Sequence, residues 1–324
     1  MRAIQIERHG GPETMQLADV PSRAPGPGEV RVRHAACGVN FIDVYHRTGL
    51  YPSPLPVVLG TEGAGTVEEV GPGVTHLAVG TRVAYAAGSP GSYAEQRTLD
   101  AKLVFALPDT IDFPRAAAMM LKGMTVQFLL RRTHPQGGLH AGDTILWHAA
   151  AGGVGTIACQ WAKALGLIVI GTAGGPEKCA IAAAHGATHV IDYHREDVVA
   201  RVRELTDNRG VKIVYDSVGK DTWERSIACL QPFGLMVSFG NASGPVPPIT
   251  LLSLVAKSLH VHRPTLMTHL GAGAGPEMSS ELFAMVTSGK VVIDAPRTYA
   301  LADAAQAHRD LEARVTTGSS VLVP

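Results

Sequence analysis

The middle of the chain alternates short apolar runs with segments of helical periodicity. The runs that predict buried strands are Thr144–His148, Leu167–Gly171, His189–Asp192, Val211–Tyr215 and Leu235–Gly240. The segments between them that predict helices are 154–165, Pro176–His185, Arg195–Thr206 and Asp221–Leu230. Strands that alternate with helices in this way indicate a parallel sheet with right-handed crossovers.

The part before this region has a different pattern. Short strand-like runs at Glu29–Ala35, Gly65–Val70 and Thr81–Ala86 are separated by turns rich in proline and glycine. Many short strands with such turns are typical of a compact, barrel-like β domain. A predicted helix over Phe113–Leu130 leads from this domain into the alternating region.

After Pro264 the sheet pattern ends. Two amphipathic helices, at about Glu277–Ser288 and Leu301–Thr316, and a final strand at Ser320–Val323 follow. We expect this tail to rejoin the first domain and to place a substrate cleft between two lobes.

The first apolar run of the middle region leads through the Ala/Gly turn Ala149–Gly155 into a helix. Small residues let the backbone approach a ligand, and free N–H groups at a helix start attract negative charge. This order predicts a pyrophosphate site. The glycine pattern departs from the usual one, because Ala150 stands in the first place, ahead of Gly152 and Gly155.

The end of the second predicted strand distinguishes between two dinucleotides. An NAD-binding fold is expected to carry a carboxylate there to hold the ribose hydroxyls. The sequence Gly171–Pro176 has none, and Lys178 follows at the start of the next helix. A lysine can supply a point charge to a 2′-phosphate, so we predict NADPH rather than NADH. The alternative is that Lys178 is an ordinary solvated lysine.

Composition narrows the class of protein. The 324 residues carry 28 Lys plus Arg and 28 Asp plus Glu, so no polyanionic partner is indicated. No apolar stretch is typical of a signal peptide or of a membrane span. The four scattered cysteines are typical of reduced thiols in a cytoplasmic protein.

Several stretches together resemble one family. They are Gly38-Val-Asn-Phe-Ile-Asp-Val-Tyr45, Leu59-Gly-Thr-Glu-Gly-Ala-Gly65, His148-Ala-Ala-Ala-Gly-Gly-Val-Gly155, Val214-Tyr-Asp-Ser-Val-Gly219 and Val237-Ser-Phe-Gly240. The chain resembles the NADPH-dependent quinone oxidoreductases, the zeta-crystallin-like group of the zinc-free medium-chain dehydrogenases/reductases. The resemblance implies an α/β protein with a GroES-like, β-barrel-type catalytic domain over residues 1–124 and 265–324. A doubly wound Rossmann domain over 125–264 would bind NADPH. It also implies a homodimer.

The same resemblance argues against a metal. Zinc-dependent relatives in this superfamily place a cysteine ligand where this chain has Asn40 and a histidine where it has Thr61. Neither an amide nor a threonine hydroxyl is a good zinc ligand. Hydride transfer then needs hydrogen-bond donors for the developing oxyanion, and Asn40 and Tyr45 are the candidate catalytic residues. Their alternative roles are a turn-forming asparagine and a packed tyrosine.

By the resemblance, Gly174, Lys178 and Tyr193 contact the 2′-phosphate, although packing alone would also explain Tyr193. The full set of predicted cofactor-binding residues is Asn40, Thr125, Ala151, Gly152, Gly153, Val154, Gly174, Lys178, Tyr193, Ser217, Phe239, Gly240 and Gly318.

We therefore predict an NADPH:quinone oxidoreductase. A second enzyme hypothesis is an enal or enoyl-thioester reductase, which uses the same hydride donor on an activated C=C bond. A third is a structural or RNA-binding protein that keeps NADPH. The four arginines between 195 and 209 are offset by four carboxylates, which favours a solvated helix face over an RNA site.

Overall fold

The computed structural model describes residues 1–86, 88–134 and 137–324. In chain order, the strands are β1 (Arg2–Ile6), β2 (Gln16–Asp19), β3 (Glu29–Val39), β4 (Val57–Val58), β5 (Glu62–Val70), β6 (Arg82–Ala86), β7 (Gln96–Asp100), β8 (Val104–Ala106), β9 (Thr144–Trp147), β10 (Ile168–Ala173), β11 (His189–Asp192), β12 (Val211–Asp216), β13 (Leu230–Ser238), β14 (His260–His262), β15 (Arg297–Ala300) and β16 (Ser320–Val323).

The α-helices are α1 (Phe41–Thr48), α2 (Phe113–Arg132), α3 (Gly153–Ala164), α4 (Pro176–Ala184), α5 (Val198–Leu205), α6 (Trp223–Cys229), α7 (Leu266–Gly271), α8 (Gly275–Thr287) and α9 (Ala304–Glu312). Short 3₁₀ segments lie at Pro12–Thr14, Ala101–Leu103, Leu251–Lys257 and Leu301–Asp303. Within the described ranges, no helix combines the length and the apolarity that crossing a bilayer requires.

The chain forms two compact units. The first comprises residues 1–124, 269–288 and 293–324, and the second comprises 125–268 and 289–292. The second unit therefore takes in four residues beyond the predicted boundary at 264, together with the short 289–292 segment.

The first unit is built on two sheets of mainly antiparallel strands. A seven-stranded sheet has the order β15-β16-β3-β5-β6-β8, and β7 pairs with β3 beside this path. The C-terminal strand β16 pairs with β3, so the tail returns to the N-terminal part of the chain, as the sequence predicts. A smaller sheet has the order β2-β1-β4. Ile4, Leu59 and Leu322 belong to one of the buried apolar clusters of this unit.

The second unit is built on a six-stranded parallel sheet. Its strand order is β11-β10-β9-β12-β13-β14, and every neighbouring pair is parallel. Counted from β9, this is the order 3-2-1-4-5-6 of a doubly wound dinucleotide-binding fold. The direction of winding reverses between β9 and β12, where such folds bind their ligands.

Several predicted elements have different bounds in the structure, and for three of them the hydrogen bonds or the backbone show why. The helix predicted from Arg195 begins at Val198, because the Asp197 carboxylate accepts a hydrogen bond from the Ala200 N–H at 2.8 Å and so caps the first turn. The C-terminal helix stops at Glu312, just before Arg314 adopts a left-handed φ of 57°. Strand β13 covers Leu230–Ser238 rather than 235–240, since it already pairs with β12 at Leu230.

Candidate active site

Five of the predicted cofactor residues lie where strands of the parallel sheet end. They follow the carboxyl ends of β10, β11, β12 and β13 and are Gly174, Tyr193, Ser217, Phe239 and Gly240. Because the strands are parallel, these ends share one edge of the sheet, and the turn after β9 opens at the same edge. The fold thus brings together residues that are far apart in sequence.

The turn after β9 is tightly folded around small residues. Ala149 has a left-handed φ of 54°, and its carbonyl accepts a hydrogen bond from the Gly152 N–H at 2.9 Å. Gly152 is the N-cap of α3. A Cβ on Gly155 would lie only 2.4 Å from the Ala149 carbonyl oxygen, so glycine is needed there. The first N–H groups of α3 have no intrahelical acceptor and are free to bind a phosphate.

Gly174 and Tyr193 are neighbours across two adjacent strands. The Tyr193 N–H donates to the Ala173 carbonyl at 3.1 Å. A Cβ on Gly174 would lie 2.6 Å from the Tyr193 hydroxyl oxygen, so this phenol occupies the space beside the glycine. Lys178 lies in the first turn of α4, whose N-cap is Gly175. The three residues predicted at the 2′-phosphate therefore belong to one corner of the second unit.

One carboxylate in this corner was not predicted from the sequence. Asp192, at the end of β11, accepts hydrogen bonds from the N–H groups of Gly175 at 2.9 Å and His194 at 3.1 Å. These bonds, first of all the one from Gly175, hold the pKa of Asp192 below its usual value. The carboxylate fixes the turn between β10 and α4. A side chain at the end of β11 thus fixes the turn after β10, where the sequence alone had placed the 2′-phosphate contacts.

Ser217 and Gly240 lie against each other. A Cβ on Gly240 would be 2.5 Å from the Ser217 carbonyl oxygen, so a larger residue would push the two turns apart. Phe239 donates its N–H to the Asp216 carbonyl at 2.8 Å, and its ring centroid lies 5.7 Å from that of Trp147. The ends of β9, β12 and β13 are thereby packed together.

A buried polar network beneath these turns has no local sequence signal. The Asp216 carboxylate accepts from Ser226 at 2.9 Å, and Ser226 in turn lies 3.0 Å from Nε2 of His148. Nδ1 of His148 lies 2.9 Å from the Thr172 hydroxyl. Because Ser226 donates to Asp216, Nε2 carries the histidine hydrogen and Nδ1 accepts. Burial lowers the pKa of His148, which keeps it neutral in this network.

The predicted catalytic residues lie in the first unit, Asn40 at the start of α1 and Tyr45 in the middle of this helix. Asn40 is the N-cap of this helix, and its backbone N–H donates to Asp43 at 2.9 Å. Its side-chain amide nitrogen donates to Oε2 of Glu62 at 2.8 Å. A turn-forming asparagine and a fixed hydrogen-bond donor are therefore both consistent with its position. Asn40 is 6% exposed, so its amide is held among protein atoms.

Tyr45 lies on the same helix within a group of aromatic rings. Its centroid is 6.3 Å from that of Phe41 and 5.2 Å from that of Tyr51, and the Tyr51 N–H donates to the Tyr45 carbonyl at 3.1 Å. Tyr45 was predicted from the sequence as a site residue, whereas Phe41 and Tyr51 were not. Flat rings grouped in this way offer a surface against which a planar molecule can pack.

Asp43 anchors a second chain of buried groups. Arg47 donates to Nδ1 of His308 at 3.0 Å, so Nε2 of His308 carries the hydrogen that faces the Tyr93 hydroxyl at 3.1 Å. Tyr93 donates to Asp43 at 2.9 Å, and Thr61 does so at the same distance. Burial raises the pKa of Asp43 to about 7, against the effect of these donors.

Two further predicted contacts belong to different units. Thr125 is half-buried on α2, in the second unit. Gly318, in the first unit, has a left-handed φ of 69° and open space around its Cα hydrogens. Their cofactor contacts stay predictions.

Comparisons with known proteins agree with this architecture. A family model described as "Alcohol dehydrogenase GroES-like domain" matches residues 26–109, and one described as "Zinc-binding dehydrogenase" matches 153–287. A quinone oxidoreductase of Pseudomonas aeruginosa is 54% identical, and the match covers 100% of this chain and 99% of the relative. A 2-haloacrylate reductase of a Burkholderia species is 42% identical over 99% of this chain and 98% of the relative.

The same architecture is found among solved structures. The crystal structure of Escherichia coli quinone oxidoreductase complexed with NADPH has a TM-score of 0.97 and 47% identity, and the match covers 100% of both chains. Together with the two family models, this confirms the predicted fold class, a GroES-like domain with a Rossmann domain.

One family description names zinc, but the donor atoms of this chain do not fit it. Among the residues that the structure describes, no three His, Cys, Asp or Glu side chains converge so that they could hold a metal ion. At the two positions where zinc-dependent relatives are expected to carry ligands, Asn40 and Thr61 use their hydrogens to bind Glu62 and Asp43. Both are directed towards carboxylates as donors, which is the opposite of what a metal ligand does.

Proposed function

The chain belongs to the quinone oxidoreductase family of medium-chain dehydrogenases/reductases, and we propose that it transfers a hydride from NADPH to a quinone without help from a metal ion. Two observations support this proposal: an Ala/Gly turn in one unit that can accommodate a pyrophosphate, and the hydrogen-bond donors Asn40 and Thr61, which bind carboxylates, in the other. Relatives named quinone oxidoreductase at 54% and 49% identity support it.

NADPH supplies the hydride from its nicotinamide ring when it is bound. The turn from Ala149 to Gly155 fits the pyrophosphate, because its small residues leave room for it and the start of α3 offers unpaired N–H groups. Ala151, Gly152, Gly153 and Val154 are the proposed contacts. Ser217, Phe239 and Gly240, at the ends of β12 and β13, are proposed to line the nicotinamide side.

Selection of NADPH is proposed to come from Gly174, Lys178 and Tyr193. Gly174 makes room for the Tyr193 hydroxyl, which can donate to a phosphate oxygen. Lys178, in the first turn of α4, adds a positive charge to the partial charge of the helix start. The relative solved with NADPH supports this choice of cofactor.

Asn40 and Tyr45 are proposed to act on the acceptor. When a quinone takes a hydride, one of its oxygens becomes an oxyanion that gains from a fixed hydrogen-bond donor. The Asn40 amide nitrogen has two hydrogens and gives one of them to Glu62, so the second can serve the acceptor. The rings of Phe41, Tyr45 and Tyr51 favour a planar, aromatic acceptor.

A reductase for activated C=C bonds is the second candidate, since one relative is named 2-haloacrylate reductase. It would use the same cofactor and the same metal-free donors. An RNA-binding role has less support, because three of the four arginines form ion pairs. Arg195 lies 3.8 Å from Asp192, and Arg201 lies 3.5 Å from Glu196 and also pairs with Glu204. Arg209 lies 3.5 Å from Asp207.

We also propose that the chain forms homodimers in the cytoplasm. Strand β14 is at the end of its sheet and pairs with β13 alone among the strands described. Leu251 and Leu252, in the adjoining 3₁₀ segment, are 78% and 77% exposed, and a second copy would cover them. Four free cysteines suit a reducing compartment.

The test is steady-state oxidation of NADPH by purified protein with 1,4-benzoquinone or 9,10-phenanthrenequinone, compared with crotonaldehyde and crotonyl-CoA. We expect kcat/KM to be highest with the quinones. Asn40→Ala should lower kcat by about 10²-fold, and a rise in the Kd for NADPH would report the cofactor contact that is also predicted for Asn40. Faster turnover of the two C=C substrates would establish the second candidate instead. If none of the acceptors were reduced, both enzyme hypotheses would be wrong.

A further inference from the structure

A buried lysine lies beside the carboxylate that holds the Asn40 amide. Nζ of Lys122 is 3.6 Å from Oε2 of Glu62, and the two side chains are 8% and 0% exposed. That distance is too long for a hydrogen bond, and within the described part of the chain Nζ has no acceptor. A buried ammonium whose hydrogens are unused costs stability. The interaction that offsets this cost is the ion pair with Glu62, so the role of the lysine is to be sought in its effect on that carboxylate.

Glu62 connects this lysine to the proposed active site. Its Oε2 accepts from the Asn40 amide at 2.8 Å, and its Oε1 accepts from the Leu121 N–H at 2.8 Å. A Cβ on Gly38 would lie 2.3 Å from Oε2, so a glycine in β3 makes room for the carboxylate. Burial raises the pKa of Glu62, and the Lys122 charge is the largest of the influences that lower it.

The charge of Glu62 decides which end of the Asn40 amide faces it. An ionised carboxylate only accepts hydrogen bonds, so it requires the NH₂ end. A protonated carboxyl can donate, and the amide oxygen can then turn towards it. In the turned amide, an oxygen lone pair replaces the second N–H. A lone pair repels a developing oxyanion, whereas the N–H stabilises it.

We propose that Lys122 is a positioning residue for hydride transfer: its charge keeps Glu62 ionised, and ionised Glu62 holds Asn40 with its NH₂ end as the donor. The inference rests on the proposed function, in which Asn40 serves the acceptor oxygen. It adds the reason for a buried lysine that itself makes no hydrogen bond.

Other titratable groups also face Glu62. They are Asp43 on α1, Cys37 on β3 and Tyr93, in the segment before β7. Burial raises the pKa of Cys37 to about 12 and that of Tyr93 well above its usual value, so both stay neutral near pH 7. Asp43 does titrate near that pH, and the experiment has to separate its effect from that of Glu62.

The experiment measures kcat for NADPH and 9,10-phenanthrenequinone between about pH 5 and 8.5 in wild type, Lys122→Met, Glu62→Gln and the double variant. In Lys122→Met, we expect activity to fall on the acid side at a pH about 1 to 3 units higher than in wild type. At the alkaline end of the range, where Glu62 ionises again, activity should approach that of wild type. The double variant should not show this loss of activity at higher pH, because glutamine does not titrate. Any loss of activity on the acid side that is due to Asp43 should remain in the double variant.

Two results would overturn the inference. One is a folded Lys122→Met protein with the wild-type pH profile, and the other is a displaced limb that persists in the double variant. If wild type itself fails to reduce quinones with NADPH, the proposed function fails, which is a distinguishable outcome.

A second measurement does not need the lysine variant. Infrared difference spectra of wild type minus Glu62→Gln, recorded across the same pH range, report protonation of the Glu62 carboxyl. We expect protonation to coincide with the acid limb of wild-type kcat. Protonation at a clearly different pH would mean that Glu62 does not control the Asn40 amide.

Discussion

Tyr93 donates its phenolic hydrogen to Oδ2 of Asp43 at 2.9 Å, inside the first unit. The direction of this bond follows from the hydrogen bonds that lead to it. Arg47 can only donate to Nδ1 of His308, so Nε2 of His308 donates to the Tyr93 oxygen, and the Tyr93 hydrogen is left for Asp43. Asp43 also receives the Asn40 backbone N–H, so it fixes the start of α1. A single buried carboxylate thus connects the core of the unit to the residue proposed to act on the acceptor.

The titration of Asp43 gives a prediction about stability. Its pKa is about 7 in the folded protein against 3.8 for the ordinary side chain, so between these values the folded state keeps a proton that the unfolded state has lost. Its contribution to the free energy of unfolding is therefore present at low pH and declines as pH rises from about 4 to 7. Neutral buried histidines such as His34 and His308 act in the opposite sense, since their pKa values are lowered to about 4 and about 3.

The measurement is the difference in unfolding free energy between wild type and Asp43→Asn, from urea denaturation at several pH values. Histidines that are not connected to Asp43 cancel in this difference. His308 is connected to it through Tyr93, so the same pair of proteins is also compared in a His308→Gln background. We expect wild type to lose about 2 to 4 kcal/mol relative to the variant across that range. A difference that is independent of pH would show that Asp43 does not titrate there.

The cofactor corner could be predicted because its signals are local. Strand, glycine turn and helix follow one another at Thr144–Gly166. The segment Gly171–Pro176, which has no carboxylate, is followed closely by Lys178. The buried groups around Asn40 could not be found in this way. Asn40 and Glu62 are 22 residues apart, and Lys122 comes from another element, so they meet only through folding. These polar residues form a network because all of them are buried. The burial of a single polar residue cannot be predicted from the sequence, since it follows no periodic pattern.

Lys178→Ala should separate the two dinucleotides. If the ammonium contacts the 2′-phosphate, loss of this charge-assisted bond should raise the Kd for NADPH about tenfold or more, and the Kd for NADH should change by less than about twofold. Fluorescence titration measures both values. Lys163→Ala, at an exposed lysine on α3, is the matched control and should change neither. Equal losses for both dinucleotides would mean that Lys178 does not touch the phosphate.

Gly155→Ala tests the turn after β9. The added methyl would lie 2.4 Å from the Ala149 carbonyl oxygen, so the turn must shift. We expect a loss of about 1 to 3 kcal/mol in unfolding free energy and at least about a tenfold weaker binding of NADPH. Gly271→Ala is the control, because nothing lies within 4 Å of the added methyl there. Wild-type NADPH affinity in Gly155→Ala would show that the turn does not hold the pyrophosphate.

Leu252→Asp tests the proposed dimer. Burial of an exposed leucine contributes about 1.5 to 3 kcal/mol to the free energy of association, whereas a carboxylate buried without a partner costs several kcal/mol. Both effects occur twice in a twofold dimer, once for each copy. We expect wild type to sediment as a dimer and Leu252→Asp as a monomer at micromolar concentration. Val79→Asp introduces the same charge at a valine of the first unit that is 67% exposed, and it should stay dimeric. If both variants dissociated, added charge in general would be the cause. If Leu252→Asp alone dissociated, the 3₁₀ segment beside β14 would be part of the dimer contact, because Leu252 would be covered by the second copy and Val79 would not.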